Sequence, residues 1–258
     1  MKLQNIKIKK ILLMLFMILS FCSCQKADDQ NDNEIRLGFD EAFPPMGFRD
    51  ENGEYTGFDI ELAKAVAEKL NYELKLVPIA WDSKDAELQS GNINCIWNGF
   101  TKTGREDKYT FSKPYTKNRQ VIVVKKNSNI KKLADLKGKR LEVQADSTGQ
   151  MTIEENEEFK NSLEITPVSD FLTALNDLEQ DSTDAILMDE VVARYNKKMG
   201  KNIEILDEAL SEEDYAIGFK KGNEEFKDKI QKALDEIIAE GKASEISKKY
   251  FDKDIIVK

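Results

Sequence analysis

The sequence predicts an α/β protein built as two lobes, and three observations predict it. Residues 35–100 read as strand, helix, strand, helix, strand. The same alternation restarts near Gln120 and continues to Leu206, and no solenoid-type repeat accompanies it. A late β-rich segment over residues 215–219 is placed to carry the chain back to the first unit. Strands alternating with helices build a sheet with helices packed on it, and two such units in succession imply two lobes.

Ile35-Arg36-Leu37-Gly38-Phe39 reads as the first strand. It runs into Asp40-Glu41-Ala42-Phe43-Pro44-Pro45, where two prolines forbid helix and force an extended turn. Asp50-Glu51-Asn52-Gly53 is a turn. Asp59 is expected to cap a helix whose apolar face is Leu62, Ala63, Val66, Ala67 and Leu70. Residues 74–77 form a second strand. Trp81 and a capping Asp82 lead into a short helix closed by Gly91, and the apolar run from Ile93 is the third strand. In the second unit, residues 120–124 and 141–143 are strands, the latter entering the polar loop over residues 144–150. Residues 154–159 are expected to be helical. Ser169 is expected to cap a helix with Phe171, Leu172, Leu175 and Leu178 inward. Residues 184–188 form a strand ending at Asp189, followed by a helix to about Met199, and residues 203–206 add a strand. Asn223 starts a long helix with Phe226, Ile230, Ala233, Leu234 and Ile237 on one face; Gly241 ends it before a last helix through Ile246. Chain crossings near residues 117–120 and 214–217 would form a hinge.

The 258 residues suffice for one large domain or two small lobes, and 34% charged against 40% hydrophobic residues describes a soluble body. Lys2, Lys7, Lys9 and Lys10 precede an almost wholly apolar run over residues 11–21, then Cys22-Ser23-Cys24. A basic start, a short apolar core and small residues make a secretory signal peptide, expected over residues 1–23; the core is too short to span a bilayer comfortably. The junction resembles the bacterial lipoprotein signal. That resemblance implies lipidation (palmitate) of Cys24 and an extracytoplasmic protein anchored to the cell membrane, with Cys22 as the competing site and ordinary secretion as the alternative. Residues 24–34 are polar and acidic and read as a flexible tether. Removing residues 1–23 takes four lysines and no acid, so the formal charge goes from −9 to −13. Such a surface disfavours nucleic acid and anionic headgroups. Only Cys95 remains in the body, so no intramolecular disulfide is possible there, and a small buried residue is expected. The absence of histidine excludes histidine-based metal sites and histidine-activated nucleophiles. No cofactor and no metal are expected.

The stretch Asn98-Gly99-Phe100-Thr101-Lys102-Thr103-Gly104-Arg105 follows the third strand. It offers backbone donors, the Thr101 hydroxyl, and the Arg105 guanidinium, whose planar fork grips both oxygens of a carboxylate. This is a cradle for an amino-acid carboxylate. The alternative is that Arg105-Glu106-Asp107-Lys108 is merely a solvated charge run.

Further segments stand in a fixed order: Phe-Pro-Pro-Met-Gly-Phe (43–48), Tyr-Thr-Gly-Phe-Asp-Ile-Glu-Leu-Ala (55–63), Trp-Asp-Ser (81–83) and Leu-Gln-Ser-Gly (88–91). Phe-Ser-Lys-Pro-Tyr (111–115), Val-Gln-Ala-Asp-Ser-Thr-Gly (143–149) and Asp-Ala-Ile-Leu-Met-Asp-Glu (184–190) follow. In this order and spacing, from about Ile35 to Phe251, the chain resembles the polar amino-acid branch of bacterial extracellular solute-binding proteins, which deliver ligand to an ABC importer. The resemblance implies a type II periplasmic-binding-protein fold, each lobe a mixed sheet flanked by helices, joined by a two-strand hinge. Lobe 1 would comprise residues 35–118 and 217–258, and lobe 2 residues 119–216. It implies an amino-acid ligand, an ABC transporter permease as partner, and a monomer. Arg105 would take the ligand α-carboxylate, with polar contacts from Asn98, Gly99 and Thr101. Ser147, Thr148 and Gly149 would add amides and hydroxyls from the second lobe, and Asp189 would hold the α-ammonium. Phe43 would cover the ligand side chain, and Trp81 and Lys84 would line its pocket. The loop between Thr101 and Arg105 is one residue shorter than the family's common pattern.

Plainer roles compete for the same residues. Asp189, Ser147 and Thr148 could cap the helices that follow them, and Phe43 and Trp81 could be core aromatics. Lys84, beside Asp85 and Glu87, fits an exposed helix face somewhat better than a pocket. Asp40 and Glu41 could be solvated turn residues or could meet a cationic side chain. Two rival functions remain: a dehydratase of the same fold, with Asp40, Glu41 or Asp189 as general acid, and a ligand-sensing lipoprotein. Nothing in the sequence demands turnover, so a binding protein, not an enzyme, is expected.

Overall fold

A computed structural model describes residues 33–257. The expected signal peptide, Cys24 and the tether up to residue 32 lie outside the described residues. The tether does not reach residue 34. Glu34 opens the first strand, buried, with its carboxylate held by Arg36 at 2.9 Å and Lys75 at 2.6 Å.

The chain begins with β1 (Glu34–Phe39), then a small antiparallel sheet of β2 (Ala42–Phe43), β3 (Gly47–Arg49) and β4 (Tyr55–Thr56). Next come α1 (Phe58–Leu70), β5 (Glu73–Pro78), α2 (Lys84–Ser90), β6 (Cys95–Ile96) and β7 (Tyr109–Phe111). β8 (Thr116–Lys125) crosses into the second lobe. There β9 (Arg140–Gln144), α3 (Thr148–Glu154), α4 (Glu157–Asn161), β10 (Glu164–Val168), α5 (Phe171–Glu179), β11 (Ala185–Asp189) and α6 (Glu190–Lys198) follow. β12 (Ile203–Tyr215) returns to the first lobe, which closes with β13 (Gly218–Lys220), α7 (Glu224–Ala239) and α8 (Lys242–Phe251).

Each lobe holds a mixed five-stranded sheet. The first runs β5-β1-β6-β13-β7, with β1 parallel to β5 and β6 and β13 antiparallel to its neighbours. The second runs β10-β9-β11-β8-β12, with β9 parallel to β10 and β11 and β8 antiparallel to β11 and β12. All five residues of β11 are buried, as a strand beneath helices requires. β8 and β12 pair from Lys125↔Ile203 to Thr116↔Tyr215, so the two chain crossings form one antiparallel ribbon. Ile230, Leu234 and Ile237 of α7 and Val66 of α1 join the first-lobe core. Among the described residues no helix is long and apolar enough to cross a membrane.

Several local expectations are corrected. Gly57, not Asp59, precedes α1: its φ is 136°, and a Cβ there would lie 2.3 Å from the Met46 carbonyl oxygen. Ser83, not Asp82, precedes α2. Asp170 caps α5 by accepting from the Thr173 amide at 2.8 Å, while the Ser169 hydroxyl donates to Asp170. Leu172 is 55% exposed, since one residue beyond the inward Phe171 lies about 100° around the helix. The helix expected over residues 154–159 breaks at Glu155-Asn156, where Asn156 caps α4 through the Phe159 amide. The strand expected over residues 203–206 runs on to Tyr215, and β13 is a separate strand.

Candidate ligand-binding cleft

The loop leaving β6 meets the hinge ribbon through a backbone bridge between Thr101 and Tyr215. Gly99 turns this loop at φ 55°, and a Cβ there would press on the Tyr215 and Phe43 rings at 2.9–3.0 Å. Its amide donates to the Asp59 carboxylate at 2.6 Å, and the Tyr115 hydroxyl donates to the same oxygen at 2.9 Å. Asp59 is thus a buried post under the loop, and burial pushes its carboxyl up to about 7. Asn98 accepts from the Asp40 amide at 3.0 Å through Oδ1, and its buried Nδ2 has no partner among the described residues.

The shorter loop still delivers Arg105 into the cleft. The side chain is 5% exposed, and Nη1 donates to the Thr101 carbonyl at 3.2 Å and to the Thr148 hydroxyl of the second lobe at 2.8 Å. Both of its hydrogen bonds therefore use Nη1, leaving the Nη2 and Nε donors of the fork. Burial lowers its pKa, with Tyr109, Glu213, Asp146 and Asp189 opposing the shift, but an arginine remains charged.

On the facing lobe, Ser147 caps α3 by accepting from the Gln150 amide at 3.2 Å, and Thr148 and Gly149 open the helix. Asp189 stands at the cap position of α6, yet its carboxylate makes no capping bond. It turns to the hinge strands, accepting from Asn118 Nδ2 at 2.7 Å, from Gln120 Nε2 at 3.0 Å and from the Tyr215 hydroxyl. Burial and the adjacent Glu213 hold its carboxyl well above the usual range.

The remaining expected residues divide. Phe43 faces Phe171 across the cleft, ring centres 5.8 Å apart. Trp81 sits in a first-lobe aromatic cluster, edge-on to Phe100 at 5.7 Å, with Lys84 Nζ 5.2 Å from its ring centre. Lys84 is not on an exposed face: it is 1% exposed and binds the Asp146 carboxylate and carbonyl across the cleft. Asp40 is buried and accepts from Gln144 Nε2 of the second lobe at 2.6 Å; burial raises its carboxyl to about 6. Glu41 points away, paired with Arg49 at 2.6 Å. Cys95 is buried, its thiol pushed up to about 12. Sequence reasoning missed Asn118, Gln120, Glu213 and Tyr215. The signal was present in alternation: Asn118 and Gln120 share one face of β8, two residues apart, as do Glu213 and Tyr215 on β12.

The cleft therefore brings a buried guanidinium, helix-start amides and a buried acid together between two mixed-sheet lobes. The model of bacterial extracellular solute-binding proteins, family 3, matches residues 35–253. The chain belongs to this family. It is 32% identical over 271 residues to the L-cystine-binding protein TcyA of Bacillus subtilis (strain 168), covering 96% of this chain and 99% of that one. It is 30% identical over 257 residues to the histidine-binding periplasmic protein of Salmonella typhimurium, covering 96% and 98%. Among solved structures, a histidine-bound ABC uptake transporter substrate-binding protein from Streptococcus pneumoniae aligns with a TM-score of 0.85 at 40% identity, covering 89% and 96%. The fold of this family member is the type II periplasmic-binding-protein fold.

Proposed function

We propose that this family 3 protein binds a polar amino acid between its lobes and delivers it to an ABC transporter permease. One observation carries the reading: a buried cation and a buried acid share one cleft, on opposite lobes, as a zwitterion requires. Arg105 takes the α-carboxylate with its free Nη2 and Nε donors, assisted by Thr101, Asn98 and Gly99 and by the α3 start at Ser147, Thr148 and Gly149. Asp189 takes the α-ammonium. Phe43 walls the side-chain pocket, and Trp81 backs it through Lys84. The lobes, divided near residues 118 and 217, close about β8 and β12, and the closed form is what a permease recognises. Cys24 anchors the chain outside the membrane. Its likeness to an L-cystine-binding protein, a histidine-binding periplasmic protein and an ancestral arginine-binding protein supports a binding protein rather than a dehydratase.

Removing one member of a buried charge pair costs roughly 3–5 kcal/mol. Arg105→Ala is therefore expected to weaken amino-acid binding by more than about a hundredfold. Calorimetry against L-cystine, L-histidine, L-arginine and L-glutamine checks this, and near-native affinity in the variant would remove Arg105 from the site.

A further inference from the structure

We infer that Glu213 is a second carboxylate of the ammonium subsite, forming with Asp189 an acid pair that holds one proton until a ligand's amino group displaces it. The inference rests on the amino-acid reading of the cleft. The sheet order brings the pair together. β8 lies between β11 and β12, with Gln120 opposite Asp189 and Asn118 opposite Glu213. The two acids start two strands apart, about 10 Å at the backbone. Their side chains converge over β8 onto the same two amide nitrogens. Asn118 Nδ2 donates to Asp189 Oδ1 at 2.7 Å and also to Glu213 Oε1. Gln120 Nε2 donates to Asp189 Oδ1 at 3.0 Å and to Glu213 Oε1 at 2.9 Å. The other Glu213 oxygen accepts from the Thr101 hydroxyl at 2.5 Å, which ties the pair to the Arg105 loop.

Both acids are 5% exposed, and among the described residues neither forms an ion pair. Two adjacent carboxylates in that setting do not both ionise readily, because desolvation and mutual repulsion act in one direction. The upward shift of Asp189 has those two causes, burial first and Glu213 second. The charged and titratable groups around the pair are few. Tyr215 donates to Asp189, and Tyr115 lies beyond Tyr215. Arg105 faces both acids from the first lobe, with the Lys84–Asp146 pair behind it. On the neighbouring side Glu190 is shared by Arg119 at 2.7 Å and Arg194 at 2.5 Å, a trio with one net positive charge.

A second observation points to a cationic guest. Gln120 is 1% exposed, and its Oε1 has no partner, although its Nε2 is held by both acids. That oxygen looks towards Gly149, where a Cβ would approach it to 3.0 Å. Asp189 and Glu213 thus offer two carboxylates to an ammonium, which has three N–H donors, and Gln120 Oε1 is an unpartnered acceptor on the same side chain that joins them. When the ammonium enters, the shared proton leaves to solvent and both carboxylates stay charged around it.

The test is calorimetry of the tightest binder among L-cystine, L-histidine, L-arginine and L-glutamine, in phosphate and in Tris at pH 7. The wild-type protein is expected to release between about half a proton and one proton on binding, with affinity rising from pH 5.5 to 7.5. Glu213→Gln leaves Asp189 alone with its donors. It is expected to bind at least about tenfold more weakly and to release measurably less proton than the wild type, with a shallower pH profile, since burial still raises the Asp189 carboxyl. Equal proton release in the variant and the wild type would overturn the pair. So would wild-type binding without proton release, and that measurement decides the matter alone if Glu213→Gln does not fold. Failure of every amino acid to bind the wild-type protein would overturn the amino-acid reading, and this inference with it; binding without proton release overturns only the pair.

Discussion

At the scale of single residues, Asp59 is the most informative group outside the ligand contacts. It is fully buried without a cation, and its carboxylate supports the Gly99 amide and the Tyr115 hydroxyl. Its folded pKa, about 7, lies above the ordinary carboxylate value, so the folded state binds the extra proton. The stability contribution is present at low pH and is lost as pH rises towards 7, with no further loss above it. Two pH units of that window correspond to about 2–3 kcal/mol. Asp40 and Glu142, raised to about 6 and about 7, act in the same direction, so the wild-type slope alone does not isolate Asp59. Asp59→Asn does. Urea midpoints at pH 5 and pH 7.5 are expected to differ less in this variant than in the wild-type protein. An unchanged difference would mean that Asp59 is ionised throughout.

At the scale of elements, the start of α1 depends on Gly57. Its φ of 136° and ψ of 169° fall in a region open to glycine alone, and the Met46 backbone occupies the space a Cβ would need. Gly57→Ala is expected to cost at least about 2–3 kcal/mol. Gly53→Ala, at φ 83° with nothing within 4 Å, is expected to cost about 1 kcal/mol. Equal urea midpoints for the two variants would show that the α1 start relaxes. This junction also explains what was legible in the sequence and what was not. Helices and their apolar faces were legible, because a period of 3.6 survives without tertiary context. Caps were legible only in part: Ser147 does cap α3, whereas Asp59, as good a cap by residue type, yields the α1 start to Gly57 and accepts from the buried Gly99 amide. The hinge strand was half hidden, because β12 shifts register between Ile205 and Ser211 and loses its alternation there. Arg105 was singled out by the chemistry of its loop, and Thr148 and Asp189 by motif order, and the three lie on the cleft. Glu213 was not, since it stands among Glu208, Glu212 and Asp214 and reads as part of a solvated acidic run.

At the scale of the whole molecule, the lobes are held against each other by the protein's own side chains. Lys84 binds Asp146, Gln144 binds Asp40 at 2.6 Å, and Arg105 binds Thr148 at 2.8 Å, each across the cleft. Lys84 is the clearest latch. Its ammonium is buried, with burial lowering its pKa, whereas the Asp146 side chain is about half exposed and rehydrates readily on opening. Lys84→Met keeps the buried stem and removes the charge, so the first-lobe core stays filled while the cross-lobe bond is lost. A partly exposed pair of this kind contributes about 1 kcal/mol to closure. A ligand binding only the closed form would lose affinity in proportion to the closed population, by at most about fivefold. Small-angle scattering of the unliganded variant is expected to give a larger radius of gyration than the wild-type protein. Saturating ligand should restore the wild-type value, because ligand contacts with both lobes favour closure through differential affinity. An unchanged radius together with unchanged affinity would place the closing force in the hinge ribbon instead, where β8 and β12 stay paired from Thr116 to Lys125.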